Sequence, residues 1–258
     1  MRRIAAVAEY IFKQSFRNKI LNVLILFAVF SIGFSLVVSE LAQEVEIKMI
    51  KDFGLFAINL FAFLTLALAL TVQLFEENEL KTINLIMVKP VARHEYIAGK
   101  YLGIVFTILM NVILMLAALM LILWLKGENP WELGLLLQAM YIFLGTAVLA
   151  STAMILSVLA TSVPGCIIFL FFFYILGHLT VHLKNIASQL DNALFQAAAD
   201  IIYYLLPNLE LFNLKDKIYT PEGLFSPQYL LPVIAYAVFY PVLSLVIASL
   251  IFRKKEFF

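Results

Sequence analysis

The strongest constraint on this chain is a run of 51 residues, Leu133–Leu183, that contains no Asp, Glu, Lys or Arg. One membrane crossing takes about 20 helical residues through a hydrocarbon layer about 30 Å thick, so the run is too long for a single span. It contains one breaker cluster, Thr161-Ser162-Val163-Pro164-Gly165. Proline there has no N–H to donate, and glycine permits a sharp turn. The run therefore divides into a hairpin of two spans, about 134–160 and 166–183. Four further charge-free stretches, 20–39, 53–75, 101–125 and 229–252, each have the length of one crossing. The pattern predicts an all-α membrane protein with six transmembrane helices in one transmembrane domain, 1–258.

Composition supports the same class. Hydrophobic residues make up 64% of the chain and charged residues 14%, against about half and about a quarter in ordinary globular proteins. Lipid must therefore take up apolar surface that no single core could hide. A net charge of +1 gives no indication of nucleic acid as a partner. With Cys166 the sole cysteine, an intramolecular disulfide and a cysteine-based metal site are both excluded. The first apolar run lacks a small-residue cleavage site after it, so it is expected to remain as a span. With six spans both termini fall on one side, and that side carries twelve of the eighteen basic residues, against six in the longer opposite segments. The positive-inside bias predicts cytoplasmic N- and C-termini; the membrane expected for this multi-pass protein is a prokaryotic plasma (inner) membrane.

The segments between the spans carry their own signals. In 1–19, Ile4, Val7, Ala8, Ile11, Phe12 and Phe16 recur at helical spacing, with Glu9, Lys13 and Arg17 on another face. This predicts an amphipathic helix lying in the interface with membrane lipid. The 76–100 connection opens with Glu76, Glu77 and Glu79 and continues into a short amphipathic turn with Ile83, Ile86 and Met87, which Pro90 ends. A new helix should start near Arg93. Apolar side chains on such a loop need lipid headgroups or a protein partner to cover them. The 184–228 segment, extracytoplasmic in this topology, is too long for a plain turn. Residues 187–206 place Leu190, Leu194, Ile201 and Leu205 at helical spacing, which predicts an interfacial or re-entrant helix ended by Pro207-Asn208.

Few residues could carry chemistry. The phosphate-cradling pattern of glycines before Lys-Ser or Lys-Thr is absent, since Gly99-Lys100 is followed by Tyr101. No catalytic, cofactor-binding or metal residue is assigned. His178 and His182 share a helix face at i,i+4, a metal-binding spacing without an apparent third ligand; they read as polar tips reaching the outer interface. With Glu76, Glu77 and Lys81 they loosely resemble glutamate-type intramembrane proteases, but the two sets lie on opposite sides of the membrane, too far apart to cooperate. A membrane scaffold or channel without an ATPase is a further alternative. Asn59 and Asn111, near mid-span, are expected to hydrogen-bond between helices, with contact to a substrate as the alternative. The aromatic run Phe169–Tyr174 should face lipid or pack, and Pro232 and Pro241 should kink the last span.

The 76–100 segment carries a more specific pattern: acidic residues, then Thr82-Ile83, Leu85-Ile86, Lys89-Pro90-Val91, Arg93, Glu95-Tyr96 and Gly99-Lys100. It resembles membrane subunits of ABC-2 type transporters, departing from them at Lys81, where a glycine is usual. Leu206-Pro207-Asn208, Phe212-Asn213 and the ending Phe252-Arg253-Lys254-Lys255-Glu256-Phe257 agree with the same family. The resemblance extends over the whole chain and is closest to the branch with nitrous-oxide-reductase maturation and sodium or drug efflux permeases.

This resemblance implies a type V ABC exporter-like fold. It also implies a transport subunit that exports its substrate, without its own ATPase site, working with two copies of a separate ABC ATPase that binds ATP. The subunit would form a homodimer or pair with a related permease. The 76–100 loop would be its coupling element, with Ile83, Ile86 and Met87 packed into the ATPase, Glu79, Lys89 and Arg93 pairing at the rim, and Pro90 ending the turn. The topology predicts that cysteines placed at Lys48, Gly127 or Asp216 label from outside the cell. Cysteines at Asn78 or Lys254 should label only after permeabilisation; outside labelling at Asn78 would refute the topology.

Overall fold

A computed structural model of the protein describes residues 2–40, 46–79, 92–160, 162–190, 193–213 and 227–254. All regular structure among them is helical: α1 Arg2–Arg17, α2 Lys19–Glu40, α3 Glu46–Glu79, α4 Arg93–Leu125, α5 Leu133–Leu159, α6 Val163–Ser188, α7 Ala193–Leu205, the 3-10 turn Glu210–Phe212, and α8 Pro227–Lys254. Helices satisfy their backbone groups within the segment, which apolar surroundings demand. α3, α4, α5, α6 and α8 are each long and apolar enough to cross a membrane, and α1 with α2, bent by 67°, makes a sixth candidate if the pair is one span. The chain is thus a multi-pass, all-α membrane protein.

The helices outrun the apolar stretches that mark them. α3 begins at Glu46 rather than Phe53 and continues through the acidic residues to Glu79, and α6 runs to Ser188 rather than Leu183. Hydropathy locates the layer that a helix crosses, whereas the helix continues until a residue or contact breaks it. Charged residues in these extensions find partners outside the apolar layer: Lys51 bonds Glu132, Lys126 bonds Glu46, and Lys184 lies 3.1 Å from Asp200 of α7. The hairpin break falls where proline and glycine predict it. Ala160 ends α5, the Ser162 hydroxyl accepts from the Gly165 amide, and Pro164 occupies the first turn of α6, where a missing N–H costs least.

α5 is the most buried of the five long helices and touches α3, α4, α6 and α8. Its middle is a stripe of small residues, Gly145 to Ala147 and Ala150 to Ala153, which lets neighbours approach on several sides. Three hydroxyls that this packing buries bond back to their own helix: Thr146 to the Ile142 carbonyl, Ser151 to Val148 and Thr152 to Leu149. α6 and α8 are the least buried, and Phe169, Phe171 and Phe172 point outward. Tyr174 instead stacks on Phe63 of α3, with ring centroids 4.2 Å apart. The aromatic run thus divides between an exposed face and a packed one. α8 runs through Pro232 and Pro241 as one helix.

α1 is amphipathic as its spacing predicts. It buries Ala8, Ile11 and Ser15, while Glu9 and Lys13 pair at 2.6 Å on the exposed face. The Lys13 hydrogen bond and charge hold the Glu9 carboxyl below its ordinary range, although an exposed pair of this kind adds little stability. The buried face rests on α4 at Gly99 and Gly103. A Cβ at Gly103 would lie 2.7 Å from Ile11 Cβ and 2.9 Å from the Ala8 carbonyl oxygen; one at Gly99 would lie 2.6 Å from Val7 Cβ. Gly103→Val should therefore separate α1 from α4, costing about 1–3 kcal/mol as overpacking commonly does. Thermal unfolding in detergent should show a lowered midpoint. Gly33→Ala, with nothing within 4 Å of the added carbon, should leave it unchanged or slightly raised.

Candidate functional site at the termini end

The sequence places its coupling element between α3 and α4. Ile83, Ile86, Met87, Lys89 and Pro90 lie outside the described residues, and Glu79 is described as the last helical residue of α3. Arg93 opens α4, as predicted, and its surroundings define the site.

The start of α4 is held from three directions. Within the chain, the Ala92 amide donates to Glu95 Oε2 at 3.1 Å, satisfying a backbone donor that the helix leaves open. Toward α1, Arg3 Nη1 lies 3.8 Å from the same Glu95 oxygen. Toward α8, Arg93 Nη1 donates to the carbonyls of Phe252 at 3.0 Å and Arg253 at 2.8 Å. These belong to the last turn of α8, whose carbonyls have no helical donor left and whose dipole favours a cation. The guanidinium carbon also lies 5.9 Å from the centre of the Phe252 ring, which Tyr96 stacks on from the next turn of α4 at 6.1 Å. Arg93 is thus a clamp between α4 and the C-terminal end of α8. The sequence resemblance places it at a partner's rim; the structure gives its guanidinium these intramolecular contacts.

One turn further along α4 lie Gly99 and Gly103, four residues apart and therefore on one face, with the buried Lys100 between them. This Gly-x-x-x-Gly spacing is visible in the sequence and signals close helix contact, yet the resemblance drew attention to Gly99-Lys100 as a motif rather than to the glycine pair. Arg93, His94, Ser249 and Arg253 line an open recess of about 500 Å³ at this end. α1, the start of α4 and the end of α8 consequently form one junction.

The candidate residues within the spans fall elsewhere. Asn111 Nδ2 bonds Thr65 Oγ1 and reaches the Phe61 carbonyl at 3.5 Å, tying α4 to α3 as expected of an interhelical amide. Asn59 lies on a cavity of about 350 Å³ in the half of the bundle opposite the termini, together with Gln138 of α5 and His178 of α6. His178 is half-buried, with Nδ1 2.9 Å from the Tyr174 carbonyl and its ring edge-on to Tyr174 at 4.7 Å, whereas His182 is exposed. Only His182 sits as a polar tip; His178 faces inward. Among the described residues no group of three His, Cys, Asp or Glu side chains could hold a metal ion.

The Leu206–Asn213 segment closes this cavity. The Leu209 amide donates to the Gly177 carbonyl at 3.0 Å, the Asn208 amide donates to Tyr236 Oη at 2.9 Å, and the Phe212 ring lies against Gly145. Any side chain at Gly177 would meet Leu209 at 2.8 Å and the Pro207 carbonyl at 2.9 Å. The Leu-Pro-Asn and Phe-Asn motifs thereby form a wedge joining α5, α6 and α8.

A family model described as "Protein of unknown function (DUF2705)" matches residues 55–258. No curated protein matches the chain. The Arg93 clamp yields a direct test. Hydrogen bonds from a charged donor are worth about 1.5–3 kcal/mol, so Arg93→Gln should free the last turn of α8. Amide hydrogen exchange in residues 250–254 should rise about tenfold or more, while exchange in the middle of α5 stays unchanged.

Proposed function

The chain belongs to the DUF2705 family, and we propose that it is the permease subunit of an ATP-driven exporter of the ABC-2 type. In this reading α1 and α2 complete a six-span, type V exporter-like subunit with both termini in the cytoplasm of a prokaryotic cell. Two copies of a separate ATPase bind the nucleotide, and the permease works as a homodimer or beside a related permease. The chain itself moves substrate outward and performs no chemistry of its own.

One observation supports this reading above the others: the emergence point of the 80–91 segment is built as a junction. Its downstream end enters α4 at Arg93, which is clamped to α8, and α4 carries α1 on Gly99 and Gly103. A push on the segment between Glu79 and Arg93 would reach three helices at once through contacts too close to yield separately. That is the mechanical property needed to convert closure of an ATPase dimer into tilting of spans. The stretch that resembles the coupling motif of ABC-2 permeases, 76–100, spans the same place.

In this mechanism Ile83, Ile86 and Met87 seat in a groove on the ATPase, with Glu79 and Lys89 at its rim and Pro90 setting the exit of the turn. A buried apolar anchor contributes about 2 kcal/mol or more to an interface, which corresponds to about thirtyfold in affinity. Ile86→Asp and Met87→Asp should each weaken ATPase association by that factor and abolish permease-stimulated ATP hydrolysis in nanodiscs. Insertion of the chain into membranes should persist, because the spans are unaltered. Unchanged association and hydrolysis in both variants would make the segment an ordinary connector and overturn the proposal.

A further inference from the structure

We propose that the recess between the start of α4 and the end of α8 binds the phosphate headgroup of an anionic membrane phospholipid, whose acyl chain lies along α8. The site rests on α4 and α8 being membrane spans and does not depend on the permease reading. The recess holds about 500 Å³ and is lined by Arg93, His94, Ser249, Leu250 and Arg253.

The charge of this wall is one-sided. Arg93 and Arg253 are permanently cationic, and Arg253 and His94 are exposed. The Arg93 guanidinium is held at the end of α8, because its Nη1 donates to the Phe252 and Arg253 carbonyls. Those bonds occupy two of the carbonyls whose partial charge at a helix C-terminus would oppose an anion, and the guanidinium keeps its own charge. Ser249 gives its hydroxyl hydrogen to the Val246 carbonyl, so it offers the recess no donor. Glu95, in the same turn of α4, is not part of the wall; it accepts from the Ala92 amide and lies 3.8 Å from Arg3 Nη1. Among the described residues no Asp or Glu lines the recess, which leaves its wall net positive.

Depth in the membrane separates a lipid from other anions. The apolar stretch of α8 ends at Phe252, and Arg253 is the first charged residue beyond it. Arg93 is level with both through its bonds to their carbonyls. The phosphates of a bilayer lie at this boundary between hydrocarbon and water, where basic pockets between spans take lipid headgroups. Toward the membrane interior, Phe239, Leu243, Val246 and Leu250 recur every three or four residues, so they share one face of α8, and each is at least half exposed. Leu250 belongs both to this stripe and to the recess, so a headgroup bound there has acyl surface directly beside it. A soluble anion would meet the charges and leave the stripe unused. A zwitterionic headgroup would bring an ammonium to a wall that repels it and has no carboxylate to receive it.

The test uses the full chain, delipidated in a non-ionic detergent and titrated with phosphatidylglycerol or phosphatidylcholine of identical acyl chains, with native mass spectrometry as the readout. Phosphatidylglycerol should bind about tenfold more tightly or better, as two cationic side chains at the headgroup imply. Arg253→Gln should lower its affinity about fivefold, the weight of one basic residue near an anionic headgroup. Arg17→Gln removes an equal charge at the far end of α1 and should change it less than about twofold, because salt screens so distant a charge. A phosphatidylglycerol analogue with a diazirine near the head of its acyl chain should label α8 preferentially, within residues 239–253. Excess inorganic phosphate at constant ionic strength should not displace the lipid. Equal affinities for the two lipids, equal losses in Arg253→Gln and Arg17→Gln, displacement by inorganic phosphate, or labelling without enrichment in α8 would each overturn the proposal. Should Arg253→Gln fail to fold, as judged by its thermal midpoint, the lipid comparison and the labelling of the unaltered chain decide the matter alone.

Discussion

The absence of side chains at Gly99 and Gly103 allows α1 to lie directly on α4, and the architecture of the termini end depends on that contact. At both glycines an added carbon would meet a backbone carbonyl of α1 at 2.9–3.0 Å, closer than real side chains approach. Helices in lipid gain little from apolar burial as such, because lipid tails are as apolar as leucine; close packing has to supply the attraction. α1 is short and amphipathic, so this seat, with the Arg3–Glu95 pair beside it, fixes where it lies. The seat in turn presents the first turn of α4 to α8, where Arg93 completes the junction. Backbone proximity and one guanidinium thus join three helices that are far apart in sequence.

The same economy of small residues shapes the opposite end. Gly145 and Gly177 admit the Leu206–Asn213 wedge between α5 and α6, and the wedge anchors to α8 through Asn208 and Tyr236. The buried hydroxyls of Thr107, Thr146, Ser151 and Thr152 bond their own helix backbones, so these four add no demand for outside partners. Amides cannot do this so readily. Asn111 reaches across to Thr65 through its Nδ2, and the side-chain oxygens of Asn111 and Gln138 are buried without partners among the described residues. The two ends therefore differ in character: one is a junction of three helices, and the other encloses a cavity beside the wedge.

Five of the six expected spans were legible as long apolar helices because lipid imposes a length on apolar runs, and the hairpin break was legible because Pro164 and Gly165 have specific backbone consequences. Helix ends were less so: α3 continues seven residues before Phe53 and four beyond Phe75, since hydropathy records the surroundings and not the hydrogen-bond ladder. The placement of Arg93 at a helix start could be read from Pro90 just upstream. Its clamp on α8 could not, because that contact joins residues 159 and 160 positions apart. Gly99-x-x-x-Gly103 was readable as a contact face, but its occupant was not, since nothing in a glycine names the helix that will cover it. The inward turn of His178 goes with its contacts to Tyr174 one helical turn before it, which the i,i+4 spacing with His182 did not indicate.

The central claim is that this chain spans the membrane as one part of a machine whose ATP is bound elsewhere. Affinity isolation of the unaltered chain from native membranes in a mild detergent, followed by native mass spectrometry and an ATP hydrolysis assay, tests it most directly. The account predicts a complex holding two copies of a nucleotide-binding ATPase subunit and hydrolysing ATP. A chain recovered intact, folded and free of any nucleotide-binding partner, with no associated hydrolysis, would contradict it.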